Sequence, residues 1–468
     1  MTDPRPNIVF ILTDDHAAHA ISSYGSRINH TPALDRIAEE GARFSEAACT
    51  NALCAPSRAS ILTGTHSHVN GVRTLMTKFD STQPTFPALL RQAGYRTAIF
   101  GKWHLGHGPE HDPVGFDEWR VLPEQGEYYN PTLLGPDGPE EHHGYVTEIL
   151  TDLAMDWLAR QDDSQPWCLL LWHKAPHRRW ESGPNERELY AEEDIPLPPT
   201  YFDDYEGRAQ AAREAKIRVA DDLDDLDTKG PPPEGLDDRE RAIWMYQRYI
   251  KDYLRCVAGV DRSTARILDA LDERGLTDDT LVTYASDQGF FLGDHGFFDK
   301  RFMYRESMNL PLMMRYPRAI RPGTVSDALV LNLDLAQTFL DYAGVPAHER
   351  MQGASFKPLL DGSSTTWRDH TYYRYWDHLK AGVGVHCGIR THRYKLIHYY
   401  GDGLGILGAY DDHREPEWEL FDTEADPQEL RSVHEDPSYA DVRAELTALL
   451  LNAIDEAGDV RPPSLVGL

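Results

Sequence analysis

The chain has few cysteines, no long apolar run and a shortage of basic residues, and each shortage excludes a class of protein. Its five cysteines (Cys49, Cys54, Cys168, Cys256 and Cys387) are too scattered, and odd in number, for a disulfide framework. They read as thiols of a reducing compartment, and none has the spacing of a zinc site. No apolar stretch reaches the roughly 18 residues that a membrane-spanning helix needs. The opening, Met1 to Pro6, lacks the basic head and apolar body of an export signal, so a cytoplasmic protein with no membrane contact is expected. With 47 Lys and Arg against 76 Asp and Glu, the net charge is −29, which argues against nucleic-acid binding. The same charge repels a long polyanion. A small anion in a locally basic pocket feels it less, since screening acts beyond roughly 8 Å.

What is present is an alternation of strands and helices. A length of 468 residues suits a large domain plus a smaller one. Asn7–Thr13 is a continuous apolar run ending in Asp14-Asp15, the pattern of a buried parallel strand. Thr31 as N-cap, Pro32 at N1 and Gly41 as stop delimit a helix. Further strands are predicted at 97–100, 167–172 and 280–285, and helices at 85–92 and 147–161. Residues 241–274 carry one or two helices more. The expected fold is an α/β sandwich with a large, mostly parallel sheet between helices. A smaller antiparallel-sheet-and-helix domain follows: short aromatic strands near 371–376 and 394–400, then a helix over 439–457. The boundary falls near residue 365, giving domains 1–365 and 366–468. Residues 181–238, rich in Asp, Glu and Pro without an apolar period, read as an acidic insertion, either a partly mobile solvated excursion or a lid.

Chemistry-bearing residues cluster just after predicted strands: Asp14-Asp15, Lys102 with His104, His173 with His177, and Asp287-Gln288. Ligands of open α/β sheets bind beyond the carboxyl ends of strands, so the four clusters are expected to meet in one cleft. Three carboxylates and an amide oxygen suit a hard cation, calcium better than zinc. Lys102 and His104, two apart in an extended segment, face one side and offer an anion-binding cation and a general base. Cys54 opens a short helix with Pro56 in its first turn and Gly64 past its end. There the helix dipole favours an anionic nucleophile or a bound oxyanion, and Arg58 adds charge one turn on. A thiolate nucleophile and an inert buried thiol both remain open at this point.

Cys54-Ala-Pro-Ser-Arg58, with Ala-Ser-Ile-Leu-Thr-Gly64 after it, resembles the modification signature of type I sulfatases, in the alkaline phosphatase superfamily. Gly94 to His104 is similar to their second signature. Further matches, in family order, are Asn7–Asp15, Ala175-Pro-His177, Ser286–Gly289, Lys300 within Asp299–Tyr304, and the C-terminal runs 388–397, 419–422 and 426–427. The resemblance implies an alkaline-phosphatase-like fold and a cysteine oxidised to formylglycine by a separate maturation enzyme. Asp14, Asp15, Asp287 and Gln288 would then hold Ca²⁺ in preference to Mg²⁺, with Gln288 replacing the commoner Asn. Arg58 and Lys102 would bind the formylglycine oxygens, and Lys102, His177 and Lys300 the sulfate. His177 or Lys300 would protonate the departing alcohol, and His104 would take the proton that releases sulfate.

Within that family, 67–71, 174–178 and 287–296 are most similar to bacterial carbohydrate sulfatases, N-acetylglucosamine-6-sulfatase-like members included. The implied substrate is a small sulfated carbohydrate, a mono- or disaccharide. The rivals are a phosphate or phosphonate monoester hydrolase of the same superfold and a non-catalytic sugar-sulfate binding protein left by an unconverted Cys54. Choline-sulfate and aryl-sulfate hydrolysis stay open within the enzyme class.

Overall fold

A computed structural model describes residues 5–162, 164–377, 381–411 and 414–467; the start of the opening segment, residues 1–4, lies outside them. The strands are β1 (Asn7–Thr13), β2 (Ala42–Phe44), β3 (Arg96–Lys102), β4 (Glu118–Leu122), β5 (Thr132–Gly135), β6 (Gly138–Glu141) and β7 (Trp167–Trp172). They continue with β8 (Thr280–Ser286), β9 (Leu312–Arg315), β10 (Thr324–Ser326), β11 (His370–Tyr375), β12 (His386–Thr391), β13 (Tyr394–Tyr399) and β14 (Glu417–Asp422). Ten form one sheet in the order β10-β2-β9-β8-β1-β7-β3-β4-β5-β6, and β11 to β14 form a second, antiparallel sheet in sequence order.

The centre of the large sheet is parallel, β8-β1-β7-β3-β4, and antiparallel pairings appear only toward its two edges. Ile8 to Leu12 are all fully buried; since successive side chains point to opposite faces, both faces of β1 are covered. One group of helices, Pro32–Glu39, Val146–Ala159 and Asp238–Glu273, packs together on the sheet; Cys54–Thr63, Phe86–Gln92 and Asp334–Tyr342 form another. The region read as one or two helices is a single 36-residue helix with an Asp237/Glu240 capping box. Thr31 does not cap the first helix: its hydroxyl pairs with Ser22, and Asp261 of the long helix accepts from the N–H groups of Ala33 and Leu34 instead. No helix among the described residues is long and apolar enough to cross a membrane.

Register positions the cleft. Leu12 pairs with Trp172, Thr13 with Ser286 and Trp172 with Gly101, so β1, β3, β7 and β8 end side by side. Gly101 has φ +128°, and a Cβ there would lie 1.8 Å from the carbonyl oxygen of Trp172, so only glycine lets β3 end against β7. The second sheet carries its own apolar cluster with helix Ala440–Ala457, including Ile389, Leu396, Leu420, Leu450 and Ile454. It also reaches the first sheet's loops. The Tyr373 hydroxyl accepts from the N–H of Ala52 and donates to the carbonyl of Arg301, bracing the segments before Cys54 and after Lys300.

The acidic insertion is not a solvated excursion. It buries Ile195, Tyr201, Ala211, Ala212, Ile217 and Val219, and Ala209 N–H donates to the buried Glu419 of β14. Short helices and turns replace any sustained period, which is why its apolar residues form no pattern in sequence.

Candidate active site

Asp14 and Asp15 follow β1 and Asp287 and Gln288 follow β8, and the adjacent strand ends bring them together. A carboxylate oxygen from each of Asp14, Asp15 and Asp287 falls in one group, all within 4.8 Å of one another. The backbone is shaped for this: Asp15 has φ +68°, its N–H donates to Asp287 Oδ1 at 3.2 Å, and a Cβ on Gly289 would lie 2.1 Å from the Glu306 carbonyl oxygen. Gln288 Nε2 donates to Asp15 Oδ1 at 2.5 Å, and Gln288 Oε1 is buried with no hydrogen-bond partner among the described residues. Burial and the neighbouring carboxylates push Asp287 up to about 7; burial, against Lys300 and with Asp14, pushes Asp15 up to about 6. A divalent cation would relieve that repulsion and take the free amide oxygen as a ligand, so the donor set fits calcium or magnesium.

Cys54 begins the helix Cys54–Thr63, which ends at Gly64 in the left-handed region and is buried at every position. Its Sγ donates to Asp14 Oδ1 at 3.2 Å. Cys54 Sγ, a His177 ring nitrogen and an Asp14 oxygen also lie within 4.8 Å of one another. Burial first, and Asp14 second, push the Cys54 thiol up despite Lys102 and Lys300, so this site disfavours a thiolate nucleophile. Arg58, one turn on, donates from Nε to Asp287 Oδ2 at 3.0 Å and from Nη1 to the Lys102 carbonyl at 2.7 Å, and lies over Trp172. Lys102 Nζ pairs with Asp14 Oδ2 and Lys300 Nζ with Asp15 Oδ1. Burial alone would raise Asp14, but Lys102, His177, Arg58 and Lys300 outweigh it and hold its carboxyl well below the usual range.

Exposure separates two tiers. The Asp14, Arg58 and Lys102 side chains are 0 % exposed, whereas His177 is 13 % exposed and His104 half-buried, so the imidazoles face the mouth of the cleft. Burial, then Lys102, holds both well below the usual histidine range. Lys102 ends β3 itself, and His104 does not follow in an extended segment but has φ +57°. All ten sequence candidates thus belong to one cluster or its rim. His173 does not: it is buried and meets Ser263 Oγ at 3.0 Å. His16, His19, His66 and His68 turn to Tyr284, Asp294, each other and the Ala457 carbonyl, as structural residues do.

Two participants carried no spacing signal. Gln125, in the loop after β4, accepts from Lys102 Nζ at 2.5 Å and lies 3.3 Å from His104 Nε2. Lys174, buried, donates to the Gln125 carbonyl at 3.1 Å and lies over Tyr128; burial, with Lys102 nearby, lowers it to about 8. Only the strand-end position of the loop after β4 could have marked Gln125.

A family model described as Sulfatase matches residues 6–345, and one described as N-sulphoglucosamine sulphohydrolase, C-terminal, matches residues 293–456. The chain is 41 % identical to an N-acetylglucosamine-6-O-sulfatase of Bacteroides thetaiotaomicron over 95 % of its own length and 86 % of the relative. It is 31 % identical to the human N-acetylglucosamine-6-sulfatase, covering 79 % of this chain and 67 % of that protein. A solved structure in complex with its substrate D-glucosamine-2-N,6-O-disulfate superposes with a TM-score of 0.90 at 40 % identity, covering 98 % of this chain and 99 % of that one.

Proposed function

Because the chain belongs to the sulfatase family and is a sulfuric ester hydrolase, we propose that it acts on sulfated carbohydrates and removes the 6-O-sulfate of a glucosamine derivative, N-acetylated or N-sulfated, in a small saccharide. The observation that carries the chemistry is the meeting of Cys54, Asp14 and His177 within 4.8 Å, beside Arg58, Lys102 and Lys300. The substrate rests on the names of the similar proteins, and the chain's acidity favours a short saccharide over a polyanion.

The family is typically metal- and formylglycine-dependent. Calcium held by Asp14, Asp15, Asp287 and Gln288 would supply Lewis-acid charge, and formylglycine made from Cys54 by a maturation enzyme would supply the hydrated nucleophile. The remaining work falls to this chain's side chains. A sulfate monoester resists nucleophiles because anion meets anion, and the buried Lys102 and Lys300 neutralise that charge. Arg58, pinned by Asp287 and the Lys102 carbonyl, offers a fixed charge at the start of the Cys54 helix. Beside the bound sulfate anion His177 takes up a second ring proton, and donates it from Nε2 to the departing alcohol oxygen as the S–O bond breaks. His104 is the proton acceptor that lets sulfate leave.

The test is the D-glucosamine-2-N,6-O-disulfate itself, given to protein co-expressed with a formylglycine-generating enzyme. Loss of the 6-O-sulfate, with release from N-acetylglucosamine-6-sulfate as well, is expected. Loss of the N-sulfate alone would favour the reaction named by the C-terminal family model and overturn the 6-O reading. Faster cleavage of the matching 6-phosphate ester would overturn the sulfatase assignment of substrate.

A further inference from the structure

The acidic insertion meets the active-site loops at Arg178, a residue that the mechanism does not use. Arg178, next to His177, donates from Nε to Asp227 Oδ1 at 2.7 Å and from Nη2 to Asp227 Oδ2, a bidentate pair whose carboxylate is fully buried. The other side of the guanidinium faces Phe298, 5.0 Å from the ring centre, two residues before Lys300. Arg178 also supplies the carbonyl that His177 Nδ1 meets at 2.8 Å. A carbonyl can only accept, so Nδ1 keeps its proton in either charge state of the ring, and Nε2, 3.7 Å from Asp15 Oδ2, is the atom that loads and delivers the donated proton.

Other bonds lace the same peptide segment to the insertion. Lys229 Nζ donates to the carbonyls of Arg179, Trp180 and Asp227, at 2.7, 3.2 and 3.0 Å. Ile217 accepts from the N–H of Phe298 at 2.8 Å, and Arg218 bridges Phe297. The insertion therefore grips both the His177 loop and the Lys300 loop. From this geometry we infer that residues 181–238 are a clamp for the proton donor, with Asp227 a positioning residue that acts through Arg178 to fix the His177 ring. The clamp rests on the role given to His177 in the proposed function.

Proton donation matters most when the departing alcohol is a poor leaving group. Asp227→Asn is expected to lower kcat on N-acetylglucosamine-6-sulfate by about 100-fold while changing kcat on 4-nitrophenyl sulfate by no more than about threefold. KM for both should be nearly unchanged. A structural defect would slow both esters alike, and that outcome, or equal retention of both rates, overturns the clamp. Arg178→Lys, which keeps the charge but loses the bidentate fork, should repeat the pattern and serves if Asp227→Asn fails to fold.

A second readout needs no converted Cys54. In ¹⁵N spectra of histidine-labelled protein, with His177 assigned by its loss in His177→Gln, Nδ1 should be protonated in the parent chain. In Asp227→Asn it should give an averaged signal, and an unchanged signal overturns the clamp. A parent enzyme inactive on both esters would instead overturn the proposed function, and the spectra would still decide the clamp.

Discussion

Gln125 Nε2 lies 3.3 Å from His104 Nε2, and the amide cannot turn over because Lys102 Nζ, which only donates, holds its Oε1 at 2.5 Å. The amide N–H therefore points at His104 Nε2, which must accept. One side chain thus orients a sulfate-binding cation and leaves the resting ring proton of His104 on Nδ1, so Nε2 is the atom of the candidate base that can take a proton. Gln125→Leu should lower kcat by about 10- to 100-fold with a smaller change in KM, measured on a sulfated monosaccharide. A variant as fast as the parent would remove Gln125 from the site.

The carboxylate cluster makes a prediction about stability. Asp287 is raised to about 7, first by burial and then by Asp14, even against Arg58, because three buried acids share one space. Adding Ca²⁺ to chelator-treated protein should raise Tm, with a gain of about 3 kcal/mol once free calcium is 100-fold above Kd. Mg²⁺, which demands a tighter octahedral shell, should raise it less. Asp287→Asn should abolish most of the calcium-induced shift; a full shift in that variant would place the ion elsewhere.

Cys54 makes a prediction about maturation. Its thiol is pushed up by burial and by Asp14, so an unconverted chain has no effective nucleophile. Turnover should scale with the aldehyde-bearing fraction of the Cys54 peptide, measured by mass spectrometry across preparations with and without the maturation enzyme. Cys54→Ala should bind sulfated sugar and not hydrolyse it. Full activity with an unmodified thiol would overturn the formylglycine mechanism.

These relationships were legible in the sequence to different depths, for physical reasons. Strand ends were readable because Asn7–Thr13 and Trp167–Trp172 are unbroken apolar runs, and the structure assigns both with those bounds. Asp14, Asp287 and His177 stood out because polar residues just beyond buried strands are costly unless something uses them. The helix of Cys54 was visible in Pro56 and Gly64. The clamp was not visible, since Asp227 and Arg178 are single charges 49 positions apart whose pairing depends on a loop's path. Gln125 was hidden likewise, one amide in an irregular segment. The true cap of the first helix, Asp261, comes from another helix, which local pattern cannot report.

The seam between the two sheets predicts acid lability. His386 of β12 is fully buried, its ring centre 5.0 to 5.6 Å from those of Tyr373, Tyr375 and Tyr399, with Nδ1 at 2.8 Å from the Gly384 carbonyl. Its Nε2 has no hydrogen-bond partner among the described residues, so a second N–H there would have no acceptor. Burial lowers His386 to about 4, against the small opposing effect of the Gly384 bond. An unfolded chain takes up this proton near pH 6.5 and the folded one only near 4. Between those values the unfolded state binds more protons, so stability falls as pH falls through the window, by up to about 3 kcal/mol from this residue. His386→Gln, which keeps a donor for Gly384, should flatten the loss of stability between pH 7 and pH 4.5 in urea unfolding. An equally steep loss in that variant would assign the acid sensitivity to other buried histidines, such as His173, which burial also lowers, to about 3.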